Sequence, residues 1–82
     1  MSDRENLISN IDKIHTTELG ILRIKRNLKL KDENILVYCK DKIKNNNSRI
    51  YKKGKNFYVE IENIKLTINS YSYTIITVHV TY

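Results

Sequence analysis

The sequence predicts an α+β domain, with N-terminal helices packed on one face of a four-stranded antiparallel meander sheet. Three observations predict it. Apolar residues up to about position 44 recur at helical spacing, and from position 49 onward they alternate with polar ones. The polar stretch Asn45-Asn46-Asn47-Ser48 separates the two regimes. Connections between the strand-like runs are short, which favours antiparallel neighbours over crossovers. At 82 residues the chain reads as one domain, with an N-terminal helix or arm (1–14), a helical part (15–44) and a β-sheet part (49–82).

Residues 5–13 read as a short helix, with Leu7, Ile8, Ile11 and Ile14 spaced for one apolar face. His15-Thr16-Thr17-Glu18 then reads as a helix start. Either threonine can cap the free backbone N–H groups, and Glu18 complements the helix dipole. The helix it opens runs over 18–28. Ile21, Ile24 and Leu28 point inward, and Arg23, Lys25, Arg26 and Lys29 occupy the remaining surface. Gly20 costs such a helix roughly 1 kcal/mol relative to alanine, so its presence points to a close approach by another element. Asp32 is the expected cap of a third helix over 33–43, with Leu36, Cys39 and Ile43 inward and Ile35 flanking. Cys39 reads as a small buried hydrophobe, and as a single cysteine it excludes an internal disulfide.

Four strand runs follow. Residues 49–52 lead through the turn signal Lys53-Gly54 into 56–62, where Phe57, Val59 and Ile61 oppose Tyr58, Glu60 and Glu62. Over 64–69, Ile64, Leu66 and Ile68 oppose Lys65, Thr67 and Asn69. Asn69-Ser70 turns the chain into the last run, 73–80. Alternation assigns Thr74, Ile76, Val78 and Val80 to the core, and Tyr73, Ile75, Thr77 and His79 to the opposite face. A phenol, a hydroxyl and an imidazole on one strand face make it the candidate site.

Fifteen Lys and Arg against nine Asp and Glu give a formal charge of +6, which suits a polyanionic partner or serves solubility. Basic groups beside aromatics suit single-stranded nucleic acid, and Lys25, Arg26, Lys52, Lys53, Lys55, Tyr58 and Tyr71 are the candidate contacts. His15 and His79, with Arg23 on phosphate and Tyr73 or Thr77 nearby, could supply the acid, base and cation of metal-independent RNA cleavage. Neither a metal nor a cofactor is expected. One cysteine and two isolated histidines make no zinc spacing, and neither a glycine-rich phosphate loop nor a nucleophile elbow occurs. Without an apolar run of roughly 20 residues or a secretory signal, a cytoplasmic location away from membranes is expected.

The strings His15-Thr16-Thr17-Glu18-Leu19-Gly20 and Ser72-Tyr73-Thr74-Ile75-Ile76-Thr77-Val78-His79 resemble a family of small bacterial proteins known only as a domain of unknown function. So do Arg23-Ile24-Lys25-Arg26-Asn27-Leu28 and Lys53-Gly54-Lys55-Asn56-Phe57-Tyr58-Val59, so the resemblance extends from Ile11 to His79. It implies membership without an activity. A more distant similarity is to ribonuclease toxins of the RelE, colicin and barnase-like group, with His15, Arg23, Thr77 and His79 in comparable places. The expected partner is therefore RNA or a nucleoprotein. The alternative is a non-enzymatic module, such as a phage-type inhibitor on a nucleoprotein or acidic protein surface. A homodimer using its exposed sheet face is a third arrangement.

Overall fold

Helices come first and strands second in the computed structural model, which describes residues 2–29 and 34–81. The helices are α1 (Asp3–Ser9), α2 (Glu18–Leu28) and α3 (Ile35–Lys44), with a short 3₁₀ turn at Ile11–Lys13. The strands are β1 (Arg49–Lys53), β2 (Asn56–Ile61), β3 (Ile64–Asn69) and β4 (Ile75–Val80). They pair in the order β1-β2-β3-β4, every pair antiparallel, as the meander expectation required.

Helix ends follow local capping chemistry. The helix expected over 5–13 starts earlier, because Ser2 caps it, accepting the Glu5 N–H and donating its hydroxyl to the Glu5 carboxylate. It stops at Asn10, whose side chain donates to the Asn6 carbonyl, and the remainder becomes the 3₁₀ turn. α2 has the expected bounds, and Thr17 is the threonine that caps it, accepting the Gly20 N–H. α3 is capped by Asn34, which accepts the Val37 N–H. The expected cap Asp32, and Glu33 beside it, lie outside the described residues.

The core is one cluster. Leu7 and Ile14 from the N-terminal arm join Ile24, Ile35, Cys39 and Ile43 from the helices. They meet Phe57, Val59, Ile61, Ile64, Leu66, Ile68, Ile75 and Val78 from the sheet. Helices therefore cover one sheet face, while the alternate side chains of β1 to β3 remain partly or fully exposed on the other.

The last strand departs from strict alternation. Ile68 pairs with Ile75 but Thr67 pairs with Thr77, so Ile76 is an extra residue in β4. This is a β-bulge, and it reverses the phase of every residue before it. Ile75 is buried at 1% exposure while Ile76 is exposed at 42%, the opposite of the expected assignment. Thr74 likewise leaves the core and turns to a polar neighbourhood. Tyr73 does not belong to the strand at all. Its φ of 58° is left-handed, it closes the β3–β4 turn, and its ring stacks on the buried Phe57. Val78, Thr77 and His79, beyond the bulge, keep the expected faces.

β4 is an edge strand, and its free edge is partly covered. His15 forms a parallel bridge to Thr74, donating its N–H to the Tyr73 carbonyl and accepting from Ile75. Thr16 Oγ1 donates to the Ile75 carbonyl at 3.1 Å, and Asn27 of α2 donates to the Val78 carbonyl at 3.0 Å. The Ile75 backbone groups and the Val78 carbonyl, which would otherwise template another strand, are thus occupied.

Candidate nucleic-acid interface

The two-residue turn at Gly54 and Lys55 sets the register of the open face. Gly54 takes a φ of 63°, which a glycine adopts without steric cost, and Lys53 then pairs with Asn56, Tyr51 with Tyr58 and Arg49 with Glu60. Continuing through β3 and β4, the central row is Tyr51, Tyr58, Thr67 and Thr77. The next row is Arg49, Glu60, Lys65 and His79.

Tyr51 and Tyr58 stack with ring centroids 5.5 Å apart and planes inclined by 25°. Arg49 lies over the Tyr51 ring at 5.5 Å, and Lys65 lies over the Tyr58 ring at 4.9 Å. Each cation gains on the order of 0.5–1 kcal/mol from the ring at such exposed positions. Glu60 stands between them. Its Oε2 accepts the Tyr51 hydroxyl at 2.7 Å, while Arg49 and Lys65 each approach the carboxylate to only 4.0 Å. Surface pairs this long are screened by water and contribute little, so both cations remain available to a phosphate. Beside this row, at the β2–β3 turn, a depression of about 430 Å³ is lined by Asn47, Arg49, Glu60, Lys65 and Thr81 among others.

The two histidines do not meet. His15 bridges Thr74 at the start of β4, while His79 pairs with Lys65 at its far end. Five residues at roughly 3.3 Å each set them about 16 Å apart along the strand, beyond joint reach of one phosphate. The expected acid–base pair is therefore corrected to two separate residues. His15 has a local hydrogen-bond role. Its Nδ1–H donates to the Lys13 carbonyl at 2.8 Å, and its Nε2 is hydrogen-bonded to the Thr74 hydroxyl at 3.0 Å. Ser72 Oγ lies 2.8 Å from Thr74 Oγ1, so the cluster ties the arm to the β3–β4 turn.

The other expected residues divide between two sides of the molecule. Tyr58, Thr77 and His79 lie on the open face, with Lys53 at its edge row. Lys55 and the 76%-exposed Tyr71 share one end of the sheet, where Ser70 N–H donates to the Lys55 carbonyl. Lys52 alternates to the other side, its backbone N–H held by Asp3. Arg23 is exposed on α2 between Gly20 and Asn27, flanking β4, whereas Lys25 and Arg26 end α2 across the sheet from Tyr51. Tyr73 faces Phe57 and Lys13 rather than the site. Glu60 and Lys65 are absent from the expected set of contacts. The signal that finds them is the turn at Gly54, from which cross-strand pairing can be counted outward.

Among the described residues two ionisations are displaced from their ordinary values. Burial pushes the Cys39 thiol up to about 12, so it stays protonated and unreactive. The hydrogen bond to Glu62 raises Lys42, whose Nζ sits 2.6 Å from that carboxylate. Neither belongs to the open face. Among the described residues no helix is long and apolar enough to cross a membrane.

A family model matches residues 8–79, and the chain belongs to that family, described as Protein of unknown function (DUF3781). Neither a curated protein nor a solved structure matches the chain. The likeness to ribonuclease toxins is accordingly unsupported, whereas the likeness to a domain of unknown function is the family itself.

Proposed function

We propose that this protein binds single-stranded RNA across the open face of its sheet, without cleaving it. The observation that carries the proposal is the stacked Tyr51–Tyr58 pair with Arg49 and Lys65 laid against its rings. Unpaired bases stack on such rings whatever their identity, and the displaced cations turn to the phosphates. Lys53, Lys55 and Tyr71 at one end of the sheet extend the same surface. An acid–base pair is not part of the proposal, because His79 has no second histidine within reach.

Anisotropy of a labelled single-stranded RNA octamer at low salt tests it. Binding should be weaker to a duplex of the same length, whose bases are not free to stack. Tyr58→Ala or Tyr51→Ala should weaken single-strand binding by about 1–3 kcal/mol per lost stack. Wild-type affinity in both variants, with the fold intact by circular dichroism, would remove the face from the interaction.

A further inference from the structure

We infer that the same face selects guanine, through Glu60 flanked by Arg49 and Lys65. The inference rests on the RNA proposal and adds the base it prefers. Glu60 follows Tyr58 by two residues on β2, so the two side chains are neighbours on one face. A base stacked on Tyr58 therefore presents an edge towards the Glu60 carboxylate.

That carboxylate is oriented and incompletely used. The Tyr51 hydroxyl fixes Oε2 at 2.7 Å, and no described residue donates a hydrogen bond to Oε1, to which Arg49 comes no nearer than 4.0 Å. Two adjacent acceptors, one of them without a donor, therefore stand between two cations next to the Tyr58 ring.

Base chemistry decides which partner fits. Guanine carries N1–H and N2–H side by side, with the O6 acceptor next to them. A carboxylate takes the two donors together, while Arg49 or Lys65 takes O6. Adenine and cytosine place a ring-nitrogen lone pair where guanine has N1–H, against the negative carboxylate. Uracil offers one donor between two carbonyls. Guanine alone matches acceptor, acceptor and cation at once.

The test compares uridine octamers whose single central base is guanine, adenine, cytosine, uracil or inosine, by anisotropy at one fixed salt concentration. The guanine octamer should bind roughly 5- to 150-fold more tightly than the adenine, cytosine and uracil ones, the range expected of one good bidentate pair. Inosine lacks the N2 amine and should fall between. Glu60→Gln keeps the acceptor for Tyr51, so it should preserve the fold and general binding while erasing the guanine preference. Equal affinity for all five octamers, or a guanine preference that survives Glu60→Gln, overturns guanine selection and leaves RNA binding standing. Failure to bind any octamer overturns the RNA proposal and this inference with it. If free GMP competes as well as the guanine octamer, the ligand is a guanine nucleotide rather than a strand, and selection on RNA is overturned.

Discussion

Replacing Gly20 by alanine tests the joint between α2 and β4, and the geometry sets the sign of the effect. In an ordinary helix interior the change stabilises by roughly 1 kcal/mol. Here the added Cβ would come to within 2.3 Å of Thr16 Oγ1, far inside contact distance. Thr16 must then rotate, and its hydrogen bond to the Ile75 carbonyl is lost. Ile75 is buried, so the carbonyl loses a partner without gaining water, at a cost of about 1–3 kcal/mol. Setting the propensity gain against this loss leaves Gly20→Ala destabilising by about 1 kcal/mol, or roughly 4–8 °C in Tm for a domain of this size.

The Thr16→Ala background isolates the cause. Thr16→Ala alone should cost a similar 1–3 kcal/mol, roughly the same lost hydrogen bond. With the obstructing hydroxyl gone, Gly20→Ala should turn stabilising, so the double variant is more stable than Thr16→Ala. Urea melts of the four proteins at one pH give the cycle, with a coupling of about 2 kcal/mol expected between neighbours that share one obstacle. If Gly20→Ala has the same effect in both backgrounds, Thr16 is not the reason for the glycine.

Other predictions bear on the bulge, the core and the charged face. Ile75→Ala should destabilise by about 2–5 kcal/mol and Ile76→Ala by less than about 1 kcal/mol, measured by thermal melts, whereas strict alternation gives the reverse order. Cys39 carries the alkaline limb of stability. Its folded pKa of about 12 exceeds the ordinary 9.0, so its contribution is complete below pH 9 and disappears as pH rises towards 12. By pH 11 the loss should approach about 3 kcal/mol, and urea melts of Cys39→Ala should show a correspondingly shallower decline above pH 9. For RNA binding, Lys53→Ala should flatten the log–log salt dependence by about 0.7, the share of one single-strand phosphate contact, while Lys25→Ala and Arg26→Ala should leave it unchanged.

Much of this architecture was legible in the residues. The exchange of helical for strand periodicity at 45–48, the bounds of α2 and the meander order all follow from pattern and turn chemistry. Ser2 and Glu5 carry the Ser-x-x-Glu signature of a helix start, although apolar spacing begins only at Leu7. The bulge was not legible. Ile75 and Ile76 are identical side chains, and only pairing with Thr67 and Ile68 decides which of them is buried. The bulge takes Tyr73 off the site face, whereas His79, beyond it, keeps its face and is set apart from His15 by the length of β4. Glu60 and Lys65 stay hidden for a related reason, since a charged residue on a strand gains meaning only from its cross-strand neighbours.

The histidine-containing strings by which the chain resembles its family have a physical account that involves no catalysis. His15, Thr16, Thr17 and Gly20 respectively bridge Thr74, bond the Ile75 carbonyl, cap α2 and leave room for Thr16. The two strings are the two sides of one seam. That seam covers the first part of the β4 edge, and at the opposite edge Asp3 holds the Lys52 N–H while Arg4 donates to the Ser48 and Asn45 carbonyls. Arg49, Lys52 and Lys53 add charge along β1, which discourages pairing with another strand. A partner that binds by extending the sheet therefore meets resistance at both edges. What is left open is the face, where aromatic rings and loosely held cations lie side by side. A flexible polyanion with stackable bases suits that surface better than an added strand.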